Sequence, residues 1–387
     1  MAPELVWQEL PDHLPKLRVL DPMAGSGTTL VTAKLRGHEA IGFDRDPLAV
    51  LIARTWMANV QIEGVKQKAK EVLTKARLRA RNMKVAKAYP RHSDKETKAF
   101  VRYWFDKTNR IQLASLSESI SRLHDPAMRD LMWCAFSRLI ITKKIGASRA
   151  MDVSHSRPHR SYDQAPIRAF DKFEQAIQYV IKAAPFPNIK NDGPDGSVNF
   201  ADARHLPLED ESVDIVITSP PYLNAIDYIR GHKFSLIWMG HSIGKLRIVR
   251  ATNMGAETIA RKEDDDTLTE RVMGLMCPVE TLSIRNAGIL RQYVRDMSCI
   301  LSEVKRVLRP NCKAIFVLGN CNVRETFVQN SKCVEGLACE LGMVVEKVRS
   351  RPLPENRRYL PPPESLTAGK ALKRRMREEV IITLIKP

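Results

Sequence analysis

The stretch that decides the fold is Asp21-Pro22-Met23-Ala24-Gly25-Ser26-Gly27-Thr28-Thr29. Before it, Arg18-Val19-Leu20-Asp21 is a short apolar run ending in an acid. After it, Thr28 to Arg36 has the spacing of a helix that Gly37 stops. A strand, a small-residue turn and a helix therefore follow one another. Gly25 and Gly27 allow positive φ and let a ligand approach the backbone closely. The turn lacks a Gly-Lys-[Ser/Thr] ending, so it is no phosphate-cradling loop. Leu30 breaks the full Gly-x-Gly-x-x-Gly spacing of dinucleotide folds. What the turn has instead is acids: Asp21, and then Asp44 at the end of a second strand, Ala40-Ile41-Gly42-Phe43-Asp44. A carboxylate at a second strand end can accept from both hydroxyls of a ribose.

Moving outward, the α/β rhythm stops near residue 60 and resumes near 197. Val198 to Asp202 is a strand ending in an acid, and Val213 to Thr218 is a buried strand that runs into Ser219-Pro220-Pro221-Tyr222. Residues 288–309 read as an amphipathic helix ending at Pro310. Ala314–Leu318, Met343–Val348 and Val380–Ile385 read as strands, and 331–341 as a helix. This gives seven strands with helices between most of them. The alternation predicts a doubly wound, mostly parallel α/β sheet covered on both faces. Ligands of such sheets sit at the carboxyl ends of the strands. Asp21, Asp44, Asp202 and the Ser219–Tyr222 turn are all expected on that rim.

Ser219-Pro220-Pro221-Tyr222 has its own chemistry. Two prolines fix φ and delete two backbone donors. The turn then presents acceptors, the Ser219 hydroxyl and the carbonyls of 219 and 220, beside the flat ring of Tyr222. Acceptors next to a stacking ring suit an aromatic amine such as the exocyclic NH2 of a nucleobase.

Taken together, these motifs resemble those of the S-adenosyl-L-methionine-dependent amino methyltransferases of DNA. The resemblance is carried by Asp-Pro-x-x-Gly-Ser-Gly-Thr-Thr at 21–29, Gly-Phe-Asp at 42–44, Ala-Asp-Ala at 201–203 and Thr-Ser-Pro-Pro-Tyr at 218–222. It covers 18–60 and 197–240, with 288–387 as a general methyltransferase tail. It implies a Rossmann-like seven-stranded methyltransferase sheet with a largely helical insertion. It also implies that Asp21, Pro22, Met23, Ala24, Gly25, Gly27 and Thr28 hold the methionine part of S-adenosylmethionine. Asp44 would bind its ribose, and Asp202 with Ala203 its adenine. Ser219 and the Pro220 carbonyl would bind the target amino group, with Pro221 and Tyr222 completing the corner. Ser-Pro-Pro-Tyr resembles the cytosine-N4 branch more than the adenine-N6 branch, which usually has Asp or Asn first. Cytosine N4 is therefore the expected acceptor, with adenine N6 as the alternative. RNA methylation and a non-catalytic DNA-binding role stand further off.

The expected organisation is a catalytic domain of 1–60 and 191–387, split by a basic helical insertion at 61–190. A polar excursion is expected at 241–287. The chain has 387 residues, with 62 Lys and Arg against 44 Asp and Glu, a net charge of +18. Residues 61–160 alone hold 23 Lys and Arg against 9 Asp and Glu, so this stretch supplies 14 of the 18 net charges. That excess favours a polyanionic partner, here double-stranded DNA. In the polar loop that follows a helix, Arg149, Ser154, Ser156, Arg157, His159 and Arg160 are the expected DNA contacts. A cognate restriction nuclease is a possible partner.

The seven cysteines, at 134, 277, 299, 312, 321, 333 and 339, form no Cys-x-x-Cys. Neither a disulfide framework nor a metal site is expected. Asp264-Asp265-Asp266 reads as a solvated surface run. The first residues carry no signal pattern, and no run reaches the ~18 apolar residues of a membrane span. A cytoplasmic protein is expected, nucleoid-associated if prokaryotic, with no preference as to oligomeric state.

Overall fold

A computed structural model describes residues 1–10, 15–142, 145–152, 158–184, 196–223, 227–254, 267–323, 326–353 and 378–387. In chain order the elements begin with α1 (Pro3–Glu9), β1 (Arg18–Asp21), α2 (Thr28–Leu35), β2 (Glu39–Asp44) and α3 (Pro47–Met57). A run of helices follows: α4 (Ile62–Arg81), α5 (Lys95–Trp104), α6 (Lys107–Ser121) and α7 (Pro126–Ile140). A two-residue ladder of β3 (Ala150–Met151) and β4 (His159–Arg160) then leads to α8 (Ala169–Ala183). Beyond it lie β5 (Gly196–Phe200), β6 (Val213–Thr218), α9 (Tyr228–Leu236), α10 (Ile243–Ala251), α11 (Thr267–Met276) and α12 (Ile284–Val307). The chain closes with β7 (Leu308–Leu318), the hairpin β8 (Cys321–Val323) and β9 (Thr326–Val328), α13 (Asn330–Glu340), β10 (Val344–Pro352) and β11 (Glu378–Ile385).

Helix starts follow from the sequence. Asp46, Asp94, Asp106, Asp125 and Asp227 each accept a backbone N–H in the first turn of α3, α5, α6, α7 and α9, and Ser283 does so for α12. Pro47 and Pro126 stand in the first turn of α3 and α7, where a missing N–H is harmless.

The seven large strands form one sheet in the order β5-β2-β1-β6-β7-β11-β10. All pairs from β5 to β7 are parallel, while β11 lies antiparallel between β7 and β10. Counted within the sheet alone, the order is 3-2-1-4-5-7-6. The direction of winding reverses between β1 and β6, which makes the crevice above that pair the expected ligand site.

Alternate residues of each strand face opposite layers. Val19, Ile215, Ile217 and Ile315 pack with Leu5, Val6, Leu30, Val50 and Ala53 from α1, α2 and α3. Leu20, Val216 and Phe316 pack with α11, α12 and α13 through Met273, Val294, Met297, Ile300 and Leu337. A third core belongs to the helices between β2 and β5 together with α9 and α10. There Phe136, Phe173 and Val101 pack with Phe234, Trp238 and Leu246. Trp238 meets the Phe105 ring edge-on at 5.3 Å, and its carbonyl accepts from Ser117 Oγ at 2.7 Å.

Several boundaries differ from the sequence reading. α5 and α9 were not expected as helices. The first helix of the insertion, α4, ends at Arg81, and β7 begins at Leu308, six residues earlier than expected. The expected polar excursion at 241–287 carries α10 and α11 among its described residues, and Val272, Met273 and Met276 of α11 are buried against α12 and α13. Its polar surface residues conceal one apolar stripe. Asp264–Asp266, the proline- and glycine-bearing stretch 185–194, and the basic residues at 357–358 and 373–375 lie outside the described residues.

Candidate active site

The crevice is built from two strand ends. Asp21 closes β1 and is 2% exposed. Its Oδ1 accepts from Thr218 Oγ1 at 2.7 Å, on the last residue of β6, and from the Met23 backbone N–H at 3.2 Å. Burial raises the Asp21 pKa above the usual carboxylate range, against the opposing pull of those hydrogen bonds. Thr29 donates to the Ile217 carbonyl at 3.2 Å, which ties the first turn of α2 to the end of β6.

The turn after Asp21 owes its shape to glycine. Gly27 caps α2 at φ +84°, and a Cβ there would lie 2.8 Å from Ala53 Cβ, so α3 crosses too closely for any side chain. Gly25 has φ +52° and open space where a side chain would point. Its backbone N–H donates to Asp44 Oδ2 at 2.8 Å. Ala24 N–H donates to the Phe43 carbonyl at 2.8 Å, which pins the turn to the end of β2. Pro22 is buried, and Met23 and Thr28 are partly so.

Asp44 also accepts from the Asp46 backbone N–H at 2.8 Å through Oδ1. Burial pushes its pKa up to about 6, aided by the neighbouring charges of Asp46 and Asp21 and opposed by the two backbone donors. Asp46 caps α3 through Leu48 N–H at 2.9 Å, and its other oxygen is bonded to His232 Nδ1 of α9.

Asp202 lies two residues beyond β5, and neighbouring Ala203 is buried in the α12 layer. Four hydrogen bonds fill its carboxylate. Arg204 reaches it from the backbone N–H at 3.1 Å, from Nε at 3.0 Å and from Nη2 at 2.7 Å, and Arg45 Nη1 adds one at 2.9 Å. Burial opposes ionisation here, but the two guanidiniums prevail and lower the pKa. Both arginines also donate to the Thr252 carbonyl, which fastens the end of α10 beside the rim, and Arg204 continues to Asp296 of α12 at 2.7 Å.

Across the crevice, Ser219 and Pro220 follow β6 directly. The Ser219 and Tyr222 hydroxyls are 3.5 Å apart. Pro220 is buried and Pro221 exposed, so the corner projects from the sheet. Cys321 at the start of β8 donates its thiol to the Leu223 carbonyl at 3.1 Å, and burial pushes that thiol up to about 11. Tyr293 of α12 lies beneath, fully buried.

The residues singled out at the strand ends therefore share one edge, joined by the Asp21–Thr218 and Gly25–Asp44 bonds. The basic loop behaves differently. Arg149 turns inward, with Nη1 on the Arg102 and Tyr103 carbonyls at 3.4 and 3.3 Å, capping the end of α5. His159 and Arg160 are exposed on β4, and Arg160 stacks over the Tyr103 ring at 5.2 Å. Ser154, Ser156 and Arg157 lie outside the described residues. Sequence reasoning missed His232, Arg45, Arg204 and Cys321. The Asp46-Pro47 helix start was legible, but nothing local ties it to a histidine 186 residues away. Among the described residues no group of three or more His, Cys, Asp or Glu could hold a metal ion. No described helix is long and apolar enough to cross a membrane.

No family profile matches the chain. It is 26% identical over 374 residues to the type II methyltransferase M.AvaI of Nostoc sp., covering 86% of this chain and 74% of that one. It is 23% identical over 362 residues to the type II methyltransferase M.BsoBI of Geobacillus stearothermophilus, covering 79% and 68%. M.MvaI of Kocuria varians, also a type II methyltransferase, is 21% identical over 329 residues, covering 79% and 71%. A SAM-dependent methyltransferase structure from Methanosarcina mazei matches 99% of the chain with a TM-score of 0.33 and 9% identity, too slight a likeness to argue from. The fold rests on its own strand order: a Rossmann-like methyltransferase sheet with an acid-lined rim. The relatives that it matches along most of its length are all type II methyltransferases.

Proposed function

We propose that this protein transfers the methyl group of S-adenosylmethionine to the exocyclic amino group of a base everted from double-stranded DNA, with cytosine N4 as the acceptor. The observation that carries the proposal is the Asp21–Thr218 hydrogen bond at 2.7 Å. It fixes the glycine turn and the Ser219–Tyr222 corner on opposite lips of one crevice.

The residues present fit the donor. Gly25 leaves open space at the turn, and the Asp44 carboxylate stands beside it with each oxygen oriented by one backbone N–H, which leaves a lone pair on each to accept from a ribose hydroxyl. Asp21 with the 22–28 turn would take the methionine part, and Asp202 with Ala203 the adenine edge. Because four donors already fill the Asp202 carboxylate, an adenine amino group would have to displace one, and Arg45, with a single bond to it against three from Arg204, is the one most easily released. When bound, the donor supplies an electrophilic sulfonium methyl group.

The protein's part is positioning. An aromatic amine is a poor nucleophile because its lone pair is delocalised into the ring. Ser219 Oγ and the Pro220 carbonyl would accept its two hydrogens and favour a tetrahedral nitrogen aimed across the crevice. Everting the base costs a few kcal/mol, and stacking on Tyr222, worth about 1–3 kcal/mol, offsets much of it. Lys66, Lys70, Lys75, Arg77 and Arg81 on the exposed face of α4 would neutralise phosphates, as would the exposed His159 and Arg160 of β4. Arg149 supports that loop from within.

Labelled methyl transfer to mixed-sequence duplex DNA, followed by digestion to nucleosides, tests the proposal. N4-methylcytosine is the expected product. N6-methyladenine would overturn the choice of base, and label on RNA alone or on no nucleic acid would overturn the function.

A further inference from the structure

The site described so far does not use His232, yet this histidine is bonded into it. It sits on α9, the first helix after the Ser219–Tyr222 corner. Its Nδ1 meets Asp46 Oδ2, the Asp46 backbone N–H holds Asp44 Oδ1 at 2.8 Å, and Asp44 Oδ2 holds Gly25 N–H at 2.8 Å. A continuous chain of hydrogen bonds thus runs from the helix behind the target-base corner to the donor turn.

We propose that His232 is a positioning residue for the methyl donor: its imidazolium grips Asp46, Asp46 holds Asp44 through the backbone, and donor affinity therefore depends on the charge of a side chain carried by α9. The inference rests on the reading that Asp44 accepts from the donor's ribose.

The surroundings favour the charged ring. Burial alone would strip its proton, but the carboxylates of Asp46, Asp44 and Asp227 outweigh that and raise its pKa. The opposing cations are occupied elsewhere. Arg250 and Arg230 both pair with Asp227, which caps α9. Lys233, on the same helix, lies over the Phe100 ring at 5.5 Å. Tyr228 packs on the His232 ring at 5.8 Å. His241, the other imidazole that feels Asp46, has its own pKa lowered, chiefly by burial, and so does not compete for the proton at neutral pH.

The sign follows. Because the pKa of His232 is raised, the charged pair persists through the ordinary histidine range and is lost as pH rises above it. By linkage, a donor that prefers the charged pair must in turn tighten the proton on His232.

Two measurements on the full chain test this. In calorimetric binding of S-adenosylmethionine from pH 6.5 to 9, wild type is expected to weaken towards high pH. His232→Gln, which can still donate to Asp46 but cannot titrate, is expected to bind about tenfold more weakly at pH 6.5 and to lose that slope. Proton NMR of the wild-type imidazole, assigned with His232→Gln or His232→Asn, should show its titration midpoint rise by about one pH unit when the donor is added. The second measurement stands even if the variants fold poorly, and a purely structural histidine would not move it. Wild type that binds no donor at any pH sinks this inference and the proposed function together. Donor binding with an unmoved midpoint and a slope retained in His232→Gln sinks the inference alone.

Discussion

At the scale of single residues, the crevice separates side chains that bind from one that would act on the target. Ser219 makes no bond to the donor turn, so Ser219→Ala should leave S-adenosylmethionine affinity near that of wild type. It should lower kcat by about 10²–10³, the loss typical of one donor or acceptor aimed at developing charge. Single-turnover methylation beside calorimetry would read the two effects separately. Asp44 makes a prediction about pH. Its folded pKa, raised to about 6, means that its ionised form is disfavoured in the empty protein. Its contribution to stability is therefore present below the ordinary carboxylate range and is lost as pH rises through 6. The melting temperature of donor-free protein should fall over that interval, and Asp44→Asn should flatten part of the slope. Donor binding draws on the carboxylate, so added S-adenosylmethionine should raise the melting temperature more at pH 7 than at pH 5.

At the scale of elements, the strands were legible and the helices on the far layer less so. Most sheet strands carry a short apolar run beside a glycine, proline or acid, and all seven were expected close to where they stand, apart from the early start of β7. The Ser219–Tyr222 corner and the 21–29 turn were legible for the same reason: the residues that make the turn are the residues at the site. α11 was obscured because Thr267, Thr269, Glu270 and Arg271 dilute its apolar stripe, and only packing shows that Val272, Met273 and Met276 point one way. Met273→Ala should cost about 2–5 kcal/mol, as for other buried methionines, measurable by denaturant unfolding. A cost under about 0.5 kcal/mol would restore the reading of 267–276 as a surface excursion. The Arg45–Asp202 and His232–Asp46 pairs were illegible for a different reason. Each joins segments far apart in the chain, and no spacing rule links them.

At the scale of the molecule, charge and topology are the two facts that matter. Most of the net charge of +18 sits between β2 and β5. If that body meets DNA phosphates, affinity for duplex should fall steeply with salt. About six contacts would give a log–log slope near −5 between 50 and 200 mM. A slope near zero would remove DNA contact from the helical body. The same insertion has a cost that no finished structure displays. β2 must pair with β5 in parallel, Ala40 against Gly196 through Asp44 against Phe200, yet about 150 residues lie between the two strands. At a synthesis rate of roughly 5–20 residues per second, a growing chain would hold the outer edge of β2 open for on the order of ten seconds. During that time the edge is a template for any other strand nearby. The many local contacts of α4 to α8 would let that body collapse early on the ribosome and bring the two ends of the insertion together. The helices proposed to meet the nucleic acid in the mature protein would thus first serve the nascent chain.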